Sequence, residues 1–260
     1  MDSFASRYGA WAVVAGASEG LGVAFAEALA RRGANLLLLA RRAERLEQVA
    51  EELRAAHGVE VRTAACDLAS PGLPLALGEL TAGLEIGVAI YNAAFAPVGE
   101  LVERPLDELL RVVDVNVRGP LIFVRTLAPR MIARRRGAFV LMSSLAGFQG
   151  TPRIATYAAT KAFNTILGEG LWHELRPSGI DVVVSCAGAI RTPGFARTAG
   201  KDAPGTLDVA DVAEQSLDAL GHGPTVVPGA TNRVARFFLG RVLPRRSAIS
   251  IMARSTKDLA

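Results

Sequence analysis

A tyrosine and a lysine four residues apart form the pair of side chains whose chemistry is easiest to define in this sequence. Tyr157 and Lys161 occur in the run Tyr157-Ala158-Ala159-Thr160-Lys161, although the 260 residues include only three tyrosines and three lysines. Residues i and i+4 share one face of a helix. An ammonium fixed beside a phenol favours the phenolate and lowers a phenol pKa that is ordinarily about 10. The spacing therefore predicts that Tyr157 is an acid/base catalyst.

A glycine-rich segment near the amino terminus has the composition of a phosphate-binding turn. It lies between a short apolar run at 11–15 and a stretch with helical periodicity. Glycines in such a turn let backbone amides and the start of a helix approach a pyrophosphate. A turn that merely joins strand to helix is the alternative, but this position favours dinucleotide binding. The residues predicted to bind there are Gly16, Ser18, Glu19, Gly20, Leu21 and Gly22.

Two arginines, Arg41 and Arg42, follow the second apolar run, where the adenine ribose of a dinucleotide would lie. A carboxylate at this position binds the two ribose hydroxyls and repels a 2′-phosphate, whereas a guanidinium attracts the phosphate. The arginines therefore predict NADP(H) in preference to NAD(H). Glu19 nearby opposes a phosphate, and an ordinary arginine at a helix start is the competing interpretation.

Short aliphatic runs that alternate with helix-period stretches predict the fold. The predicted strands are 11–15, 35–40, 60–65, 87–91, 138–143, 181–185 and 225–227, and the clearest predicted helices are 22–32 and 43–57. This alternation indicates an α/β protein with a Rossmann-type, doubly wound parallel sheet of about seven strands and helices on both faces, a three-layer sandwich. No repeat or linker divides the chain, so we expect residues 1–260 to form a single dinucleotide-binding oxidoreductase domain.

Four motifs, in their order and approximate spacing, resemble those of the short-chain dehydrogenase/reductase family over residues 11–227. They are the glycine turn, Asn116-Val117-Arg118-Gly119, Ser143-Ser144-Leu145-Ala146-Gly147 and the tyrosine–lysine pair. The resemblance implies a catalytic set of Asn116, Ser144, Tyr157 and Lys161. Ser144 would hydrogen-bond the substrate oxygen, and Tyr157 would exchange a proton with it. Lys161 would lower the phenol pKa and hold the nicotinamide ribose, and Asn116 would link Lys161 to a proton-relay water.

The same resemblance implies further contacts with the cofactor. Asp67 and Leu68 would lie beside the adenine, whereas Asn92, Ala93 and Ala94 would line the cofactor and Ile190 and Thr192 would contact the nicotinamide carboxamide. The chain departs from the family pattern at Ala15, in the run Tyr91-Asn92-Ala93-Ala94 and at Ala187, all of which concern framework or cofactor positioning. The implied reaction class is unaffected by these departures.

The substrate is expected between the segment after Ser144 and a lid at 193–207, which is rich in proline and glycine and lacks helical periodicity. Apart from Arg153 and Arg197, the predicted walls are apolar, which fits a bulky ketone or secondary alcohol such as a steroid, fatty acyl or aromatic carbonyl. These wall residues would equally pack a domain core. They are Leu145, Phe148, Ile154, Phe95, Ala189 and Phe195.

The predicted function is reduction of a hydrophobic ketone or aldehyde by NADPH, or the reverse oxidation, by a short-chain dehydrogenase/reductase. A catalytically silent nucleotide-sensing or lipid-binding module on the same fold is the alternative, because a fold does not decide function. The complete catalytic set favours the enzyme, since a sensor needs no acid/base pair.

Two segments predict contacts with partners. The helix predicted at 155–175 is apolar on nearly every side and should be buried, which favours a homodimer or homotetramer that pairs it with the helix at 106–134. The chain has a net charge of +4, and a basic amphipathic extension at about 231–260 interleaves arginines with apolar residues at 233–246. The simpler interpretation of this extension is an exposed helix face, and the alternative is a helix that lies on a membrane surface. Binding of nucleic acid is not expected.

Other chemistry has little support in the sequence. Cys66 and Cys186 are too few for a disulfide framework and are predicted to be buried thiols, and the three histidines, His57, His173 and His222, have no metal-ligand spacing. The amino terminus, Met1-Asp2-Ser3, does not begin an export signal, and no apolar run is long enough to span a bilayer. We therefore expect a cytoplasmic protein without a metal.

Overall fold

The chain forms an α/β sandwich, described by a computed structural model for residues 4–198 and 202–257. The strands are β1 Trp11–Ala15, β2 Asn35–Ala40, β3 Val61–Ala65, β4 Ile86–Tyr91, β5 Gly137–Ser144, β6 Ile180–Ala187 and β7 Thr225–Val226. The helices are α1 Phe4–Tyr8, α2 Leu21–Arg31, α3 Ala43–His57, α4 Leu73–Leu80, α5 Leu106–Val113, α6 Gly119–Arg134, α7 Ala155–Leu175, α8 Pro193–Thr198, α9 Val209–Asp218, α10 Ala230–Phe237 and α11 Arg245–Ser255. All seven predicted strands are confirmed, with bounds that agree to within two residues.

The strands form one parallel sheet in the order β3-β2-β1-β4-β5-β6-β7. The order reverses between β1 and β4, and in open parallel sheets this switch point leaves a crevice at the carboxyl ends of the strands. Because all the strands run the same way, the segments that follow them meet at one edge. The predicted Rossmann-type fold is confirmed.

Apolar cores cover both faces of the sheet, which is why its central strands are continuous aliphatic runs. Successive residues of β1 point to opposite faces: Ala12 and Val14 pack with α2 and α3, whereas Val13 and Ala15 pack with α6. All four are fully buried, and burial of each valine side chain contributes about 1.5–3 kcal/mol. The sheet is thus a fixed platform for the loops at its carboxyl edge.

The helix predicted at 106–134 is continuous but contains a π-helical turn, Asp114–Arg118, between α5 and α6. The hydroxyl of Tyr91, a residue 2% exposed at the end of β4, donates a hydrogen bond to the Val115 carbonyl oxygen at 2.7 Å. This bond ties the wider turn to the sheet. Such turns often occur at functional sites, and this one carries Asn116.

Candidate active site

A cleft of about 550 Å³ lies at the carboxyl edge of the sheet, beside the switch point between β1 and β4. Every predicted cofactor residue except Gly22 lines it. The lining predicted from sequence comprises Gly16, Ser18, Glu19, Gly20, Leu21, Arg41, Arg42, Asp67, Leu68, Asn92, Ala93, Ala94, Tyr157, Lys161, Ile190 and Thr192. The structure therefore brings together residues from five strand ends at one site.

The glycine turn has the close packing that a dinucleotide cradle requires. Gly16 has a φ of +88°, and a Cβ added there would lie 2.8 Å from the backbone nitrogen of Ala93. A Cβ on Gly22 would lie only 1.9 Å from the Gly16 carbonyl oxygen. Side chains are therefore excluded at both positions, and α2 begins directly over the cleft at Leu21. Backbone amides and a helix N-terminus facing open space fit a pyrophosphate.

The two arginines after β2 are in different electrostatic situations. Nη2 of Arg42 lies 2.9 Å from Glu19 Oε2 and donates a hydrogen bond to Ser18 Oγ at 3.0 Å, so this arginine ties the glycine turn to β2. Arg41 is exposed at the cleft, and none of the ion pairs between described residues includes it. Glu19, the carboxylate that was expected to oppose a phosphate, is thus paired with Arg42.

Asp67, after β3, is held by a residue that sequence analysis did not single out. Arg111 Nη2 donates to both carboxylate oxygens of Asp67, at 3.1 and 3.0 Å, and the Ala69 amide donates to Oδ1 at 3.0 Å. Partial burial raises the pKa of this carboxyl, but the Ala69 and Arg111 hydrogen bonds outweigh it and hold the pKa below its ordinary value. Asp67 is therefore ionised and fixed at neutral pH.

Ser144 and Tyr157 lie near each other at the other end of the cleft, which Tyr157 lines and Ser144 does not. Ser144 is the last residue of β5, and its Oγ accepts a hydrogen bond from the Ala146 amide at 3.2 Å. The Ser144 side chain lies close enough to the Tyr157 phenol to influence its pKa. Burial raises the pKa of Tyr157 above its ordinary value of 10.0, although the nearby Ser144 side chain lowers it in part. The phenol therefore carries its proton at neutral pH.

Lys161 lies one helical turn from Tyr157 on α7, with Nζ 5.4 Å from the centre of the phenol ring. The lysine is 3% exposed, and Nζ donates a hydrogen bond to the Met142 carbonyl oxygen at 2.9 Å. Burial lowers the pKa of Lys161 to about 8. The prediction that this ammonium lowers the phenol pKa is wrong for this arrangement, because burial dominates the pKa of Tyr157 and the ammonium bonds to a backbone carbonyl.

Asn116 acts on the backbone around the site. Its side chain is fully buried, with Oδ1 accepting from the Phe95 amide at 2.8 Å and Nδ2 donating to the Phe95 carbonyl oxygen at 2.9 Å. Nδ2 also donates to Thr160 Oγ1 at 3.1 Å, which joins the π-helical turn to α7 beside Lys161. The amide therefore fixes both the segment after β4 and the helix that carries the tyrosine.

Only some of the residues that were predicted to contact substrate line a cavity in the described structure. Phe95 lines the cleft, and Ile154 shares a small cavity with Tyr157. Leu145 and Phe148 form a 3₁₀ turn directly after Ser144. In the described structure these two side chains, like those of Ala189 and Phe195, line neither cavity. The substrate pocket stays a prediction.

The predicted lid at 193–207 is attached to the cleft at its far end. Its first part is helical as α8, and the Leu207 amide donates to the Ala189 carbonyl oxygen at 3.1 Å, beside the cleft residue Ile190. Residues 199–201 and the side chain of Arg197 lie outside the described part of the chain.

Sequence reasoning missed several residues that line the cleft. Most of these residues adjoin predicted residues at strand ends, and their position next to a predicted residue was the signal that could have found them. The residues of this kind are Ala40, Cys66, Met142, Ser143 and Gly194. Val115 and Arg111 come from the helix at 106–134; Val115 adjoins the predicted Asn116, whereas Arg111 had no local signal. Both cysteines are free and buried, as predicted. Among the described residues, no group of histidine, cysteine and acidic side chains could hold a metal ion.

The parallel sheet with a glycine turn at its switch point defines a Rossmann-like α/β protein. A sequence model of the short chain dehydrogenase family matches residues 10–202, so the chain belongs to this family. The resemblance carried by the four motifs is confirmed.

Named relatives are of two kinds. A 7beta-hydroxysteroid dehydrogenase from Clostridium sardiniense is 32% identical over 235 residues, which cover 89% of this chain and 90% of that protein. A very-long-chain 3-oxoacyl-CoA reductase from Pyricularia oryzae is 36% identical over 200 residues, which cover 72% of this chain but only 60% of that protein. The chain thus spans a little over half the length of the reductase.

Solved structures show the same fold in relatives. A 7beta-hydroxysteroid dehydrogenase superposes with a TM-score of 0.91 at 27% identity, over 96% of this chain and 99% of that chain. A short-chain dehydrogenase from Sphingobium yanoikuyae in complex with NADPH gives 0.79 at 32% identity, over 86% and 89%. A 3-oxoacyl-[acyl-carrier protein] reductase from Brucella melitensis with bound NAD gives 0.75 at 29% identity, over 86% and 90%.

Proposed function

We propose that this protein is an NADP(H)-dependent oxidoreductase that reduces a hydrophobic ketone, with Tyr157 as the general acid. The observation that carries the proposal is that Tyr157 and Lys161 line the same cleft as a glycine turn that excludes side chains. The Ser144 side chain is close enough to the phenol to lower its pKa, so the two hydroxyls can together bind a single carbonyl oxygen. Relatives that act on hydroxysteroids or 3-oxoacyl thioesters support a bulky apolar substrate.

Each catalytic side chain has a role that follows from its position. Ser144 donates a hydrogen bond that orients the substrate oxygen, and Tyr157, which keeps its proton at neutral pH, donates that proton as the oxygen becomes an alkoxide. Lys161 keeps positive charge beneath the phenol and stabilises the tyrosinate that remains. Asn116 holds α7 and the segment after β4 at a fixed separation.

The cleft would hold the cofactor along its whole length. The amides of the glycine turn would bind the pyrophosphate, Asp67 the adenine, and Ile190 with Thr192 the nicotinamide end. When bound, a nicotinamide dinucleotide supplies or accepts the hydride. Arg41, which has no ion-pair partner among the described residues, would bind a 2′-phosphate, while Arg42 braces the glycine turn.

The experiment that tests the proposed function follows NADPH absorbance against a panel of steroid ketones, 3-oxoacyl thioesters, aryl ketones and aldehydes. We expect turnover with at least one bulky ketone. NADPH binding without turnover of any member would instead support the nucleotide-sensing or lipid-binding alternative.

Replacing Arg41 tests the choice of cofactor. In Arg41→Asp, we expect NADPH to bind at least about tenfold more weakly, because a charge-assisted contact with phosphate is lost and a carboxylate repels it. NADH binding should be unchanged or stronger, since the new carboxylate can accept bonds from the ribose hydroxyls. Dissociation constants from cofactor fluorescence measure both effects. Arg45→Asp makes the same charge change at an exposed α3 position and serves as control; an unchanged NADPH preference in Arg41→Asp would refute the assignment.

An apolar groove between α6 and α7 supports self-association. The groove has a volume of about 370 Å³, and the neighbouring Ile166 on α7 is 69% exposed. It is lined by Leu121, Val124, Arg125, Ala128, Pro129, Ile132, Leu167, Leu171 and Leu175. We propose that a second copy of the chain covers this surface, because exposed apolar patches of this kind mark interfaces.

Sedimentation velocity at micromolar concentration tests this interface. We expect a dimer or tetramer for the unmodified chain and a shift towards monomer in Leu171→Glu, which places a charge in the groove. Leu75→Glu changes a leucine that is 70% exposed on α4 and should leave the mass unchanged. A monomer for the unmodified protein would defeat the proposal.

A further inference from the structure

The carboxyl-terminal segment 230–257 has a charge unlike that of the rest of the chain. It contains seven basic residues and no acidic residue, whereas the remaining sequence has 22 basic and 25 acidic residues. None of the ion pairs formed between described residues includes a basic residue of this segment. The net positive charge of the protein therefore comes from one uncompensated region.

The helix in this segment points its apolar side chains away from the protein. Helix α10 continues into a π-helical turn, Phe238–Val242. Val234 and Phe237 are each 57% exposed, Phe238 is 50% and Val242 is 53% exposed. Arg233 and Arg241 are also exposed. We call this surface the outer face; its members are Arg233, Val234, Phe237, Phe238, Arg241 and Val242.

The inner side of the same helix is polar and is attached to the substrate side of the protein. Asn232, 4% exposed, donates to the Gly205 and Pro228 carbonyl oxygens at 3.0 Å. The guanidinium carbon of Arg236 lies 3.7 Å from the centre of the Phe148 ring, a favourable cation–π contact. The helix is thus fixed with polar groups inward and apolar groups outward, the reverse of an ordinary surface helix.

Helix α11 also anchors the carboxyl-terminal segment to the body of the protein. Ala248 is 1% exposed, and Thr256, at 3%, donates through Oγ1 to the Pro152 carbonyl oxygen at 3.0 Å. Both contacts leave the outer face open. The outer face is therefore exposed although its helix is anchored at both ends. Packing against the body of the protein does not explain the phenylalanines on this face.

The positive charge of segment 230–257 indicates what binds to the outer face. A symmetric contact with a second copy would set the same face against itself and bring like charges together. A lipid surface with anionic headgroups attracts arginines and accepts phenylalanine and valine at the boundary of its acyl chains. Among the described residues, no helix is long and apolar enough to cross a bilayer, so the contact would lie in the plane of the surface. We propose that the outer face docks on an anionic membrane surface.

Vesicle flotation tests this proposal without reference to catalysis. We expect the full-length protein to float with phosphatidylcholine vesicles that contain about one-third phosphatidylglycerol and to remain unbound with phosphatidylcholine alone. Binding to the anionic vesicles should fall steeply as NaCl rises from about 0.05 to about 0.5 M, because salt screens exposed charges. Equal binding to both vesicle types, or none to the anionic vesicles at low salt, would overturn the proposal.

Two double variants separate the charge from the apolar contribution. Arg233→Gln with Arg241→Gln should weaken binding by more than about tenfold, since each arginine near such a surface contributes about a fivefold factor. Phe237→Ser with Phe238→Ser should also release the protein, whereas Val102→Ser, at a position 86% exposed outside this segment, should not. Circular dichroism and NADPH fluorescence confirm that each variant is folded.

Two other outcomes would assign the face differently and overturn the membrane assignment. If the outer-face variants lower the sedimentation mass of the protein and vesicle binding is absent, the occupant is a second copy. If immobilised polyglutamate retains the protein and anionic vesicles do not, the occupant is an acidic polypeptide.

Discussion

Tyr157→Phe should lower kcat by about a thousandfold or more while NADPH affinity changes by less than about threefold. Loss of a general acid typically costs 10²–10⁴ in rate, and the phenol is a proton-bearing group that lines the cleft. Phenylalanine keeps the ring that lines the cleft, so cofactor binding should persist. Stopped-flow rates with the best ketone from the panel and a fluorescence titration with NADPH measure the two quantities.

Tyr8→Phe is the matched control for this change. The Tyr8 hydroxyl makes a side-chain hydrogen bond, to Asp181 Oδ2 at 2.9 Å, at the opposite edge of the sheet. Its loss should reduce stability by about 1 kcal/mol and leave kcat close to that of the unmodified enzyme. If Tyr157→Phe kept more than about a tenth of the original kcat, Tyr157 would not be the proton donor. A parallel loss of NADPH binding would mean that the residue shapes the cleft.

The sequence predicts most of the fold because its local patterns and its three-dimensional arrangement agree. β1 and β2 were predicted to the residue, as was α3, since aliphatic runs ended by a glycine turn or a polar helix start leave few alternatives. The parallel arrangement follows because each strand is followed by a helix that must cross over the sheet. The π-helical turn at Asp114–Arg118 was not predicted, because it depends on the distant Tyr91 hydroxyl.

The residues of the candidate site also fall into those that the sequence predicts and those that it does not. Residues at strand ends were found because the topology places all strand ends at one edge, whatever the detailed packing. Arg111 was not found because its bond to Asp67 joins residues 44 positions apart, and an arginine on a polar helix face has no distinguishing pattern. The pKa of Tyr157 was predicted in the wrong direction because spacing reveals a neighbouring charge but not how deeply a phenol is buried.

Lys161→Met should inactivate the enzyme and yet stabilise the folded protein at pH 7. Burial lowers the pKa of Lys161 from an ordinary 10.5 to about 8, so at pH 7 the folded state holds a charged group in an unfavourable place. The difference corresponds to about 3 kcal/mol of unfolding free energy. Loss of the hydrogen bond to the Met142 carbonyl oxygen offsets about 1 kcal/mol, which leaves an expected gain of about 2 kcal/mol.

The pH dependence distinguishes this cause from better packing of methionine. Below pH 8 the lysine is protonated in both states and the full penalty applies; between about pH 8 and 10.5 only the unfolded state binds the extra proton, so the unmodified protein gains stability as pH rises. The advantage of Lys161→Met should therefore shrink across this window in urea unfolding experiments. Lys257→Met, at an exposed lysine, should show no such trend. A variant less stable than the unmodified protein at pH 7 would show that the buried ammonium is not penalised and that this lysine is not retained for catalysis at a cost in stability.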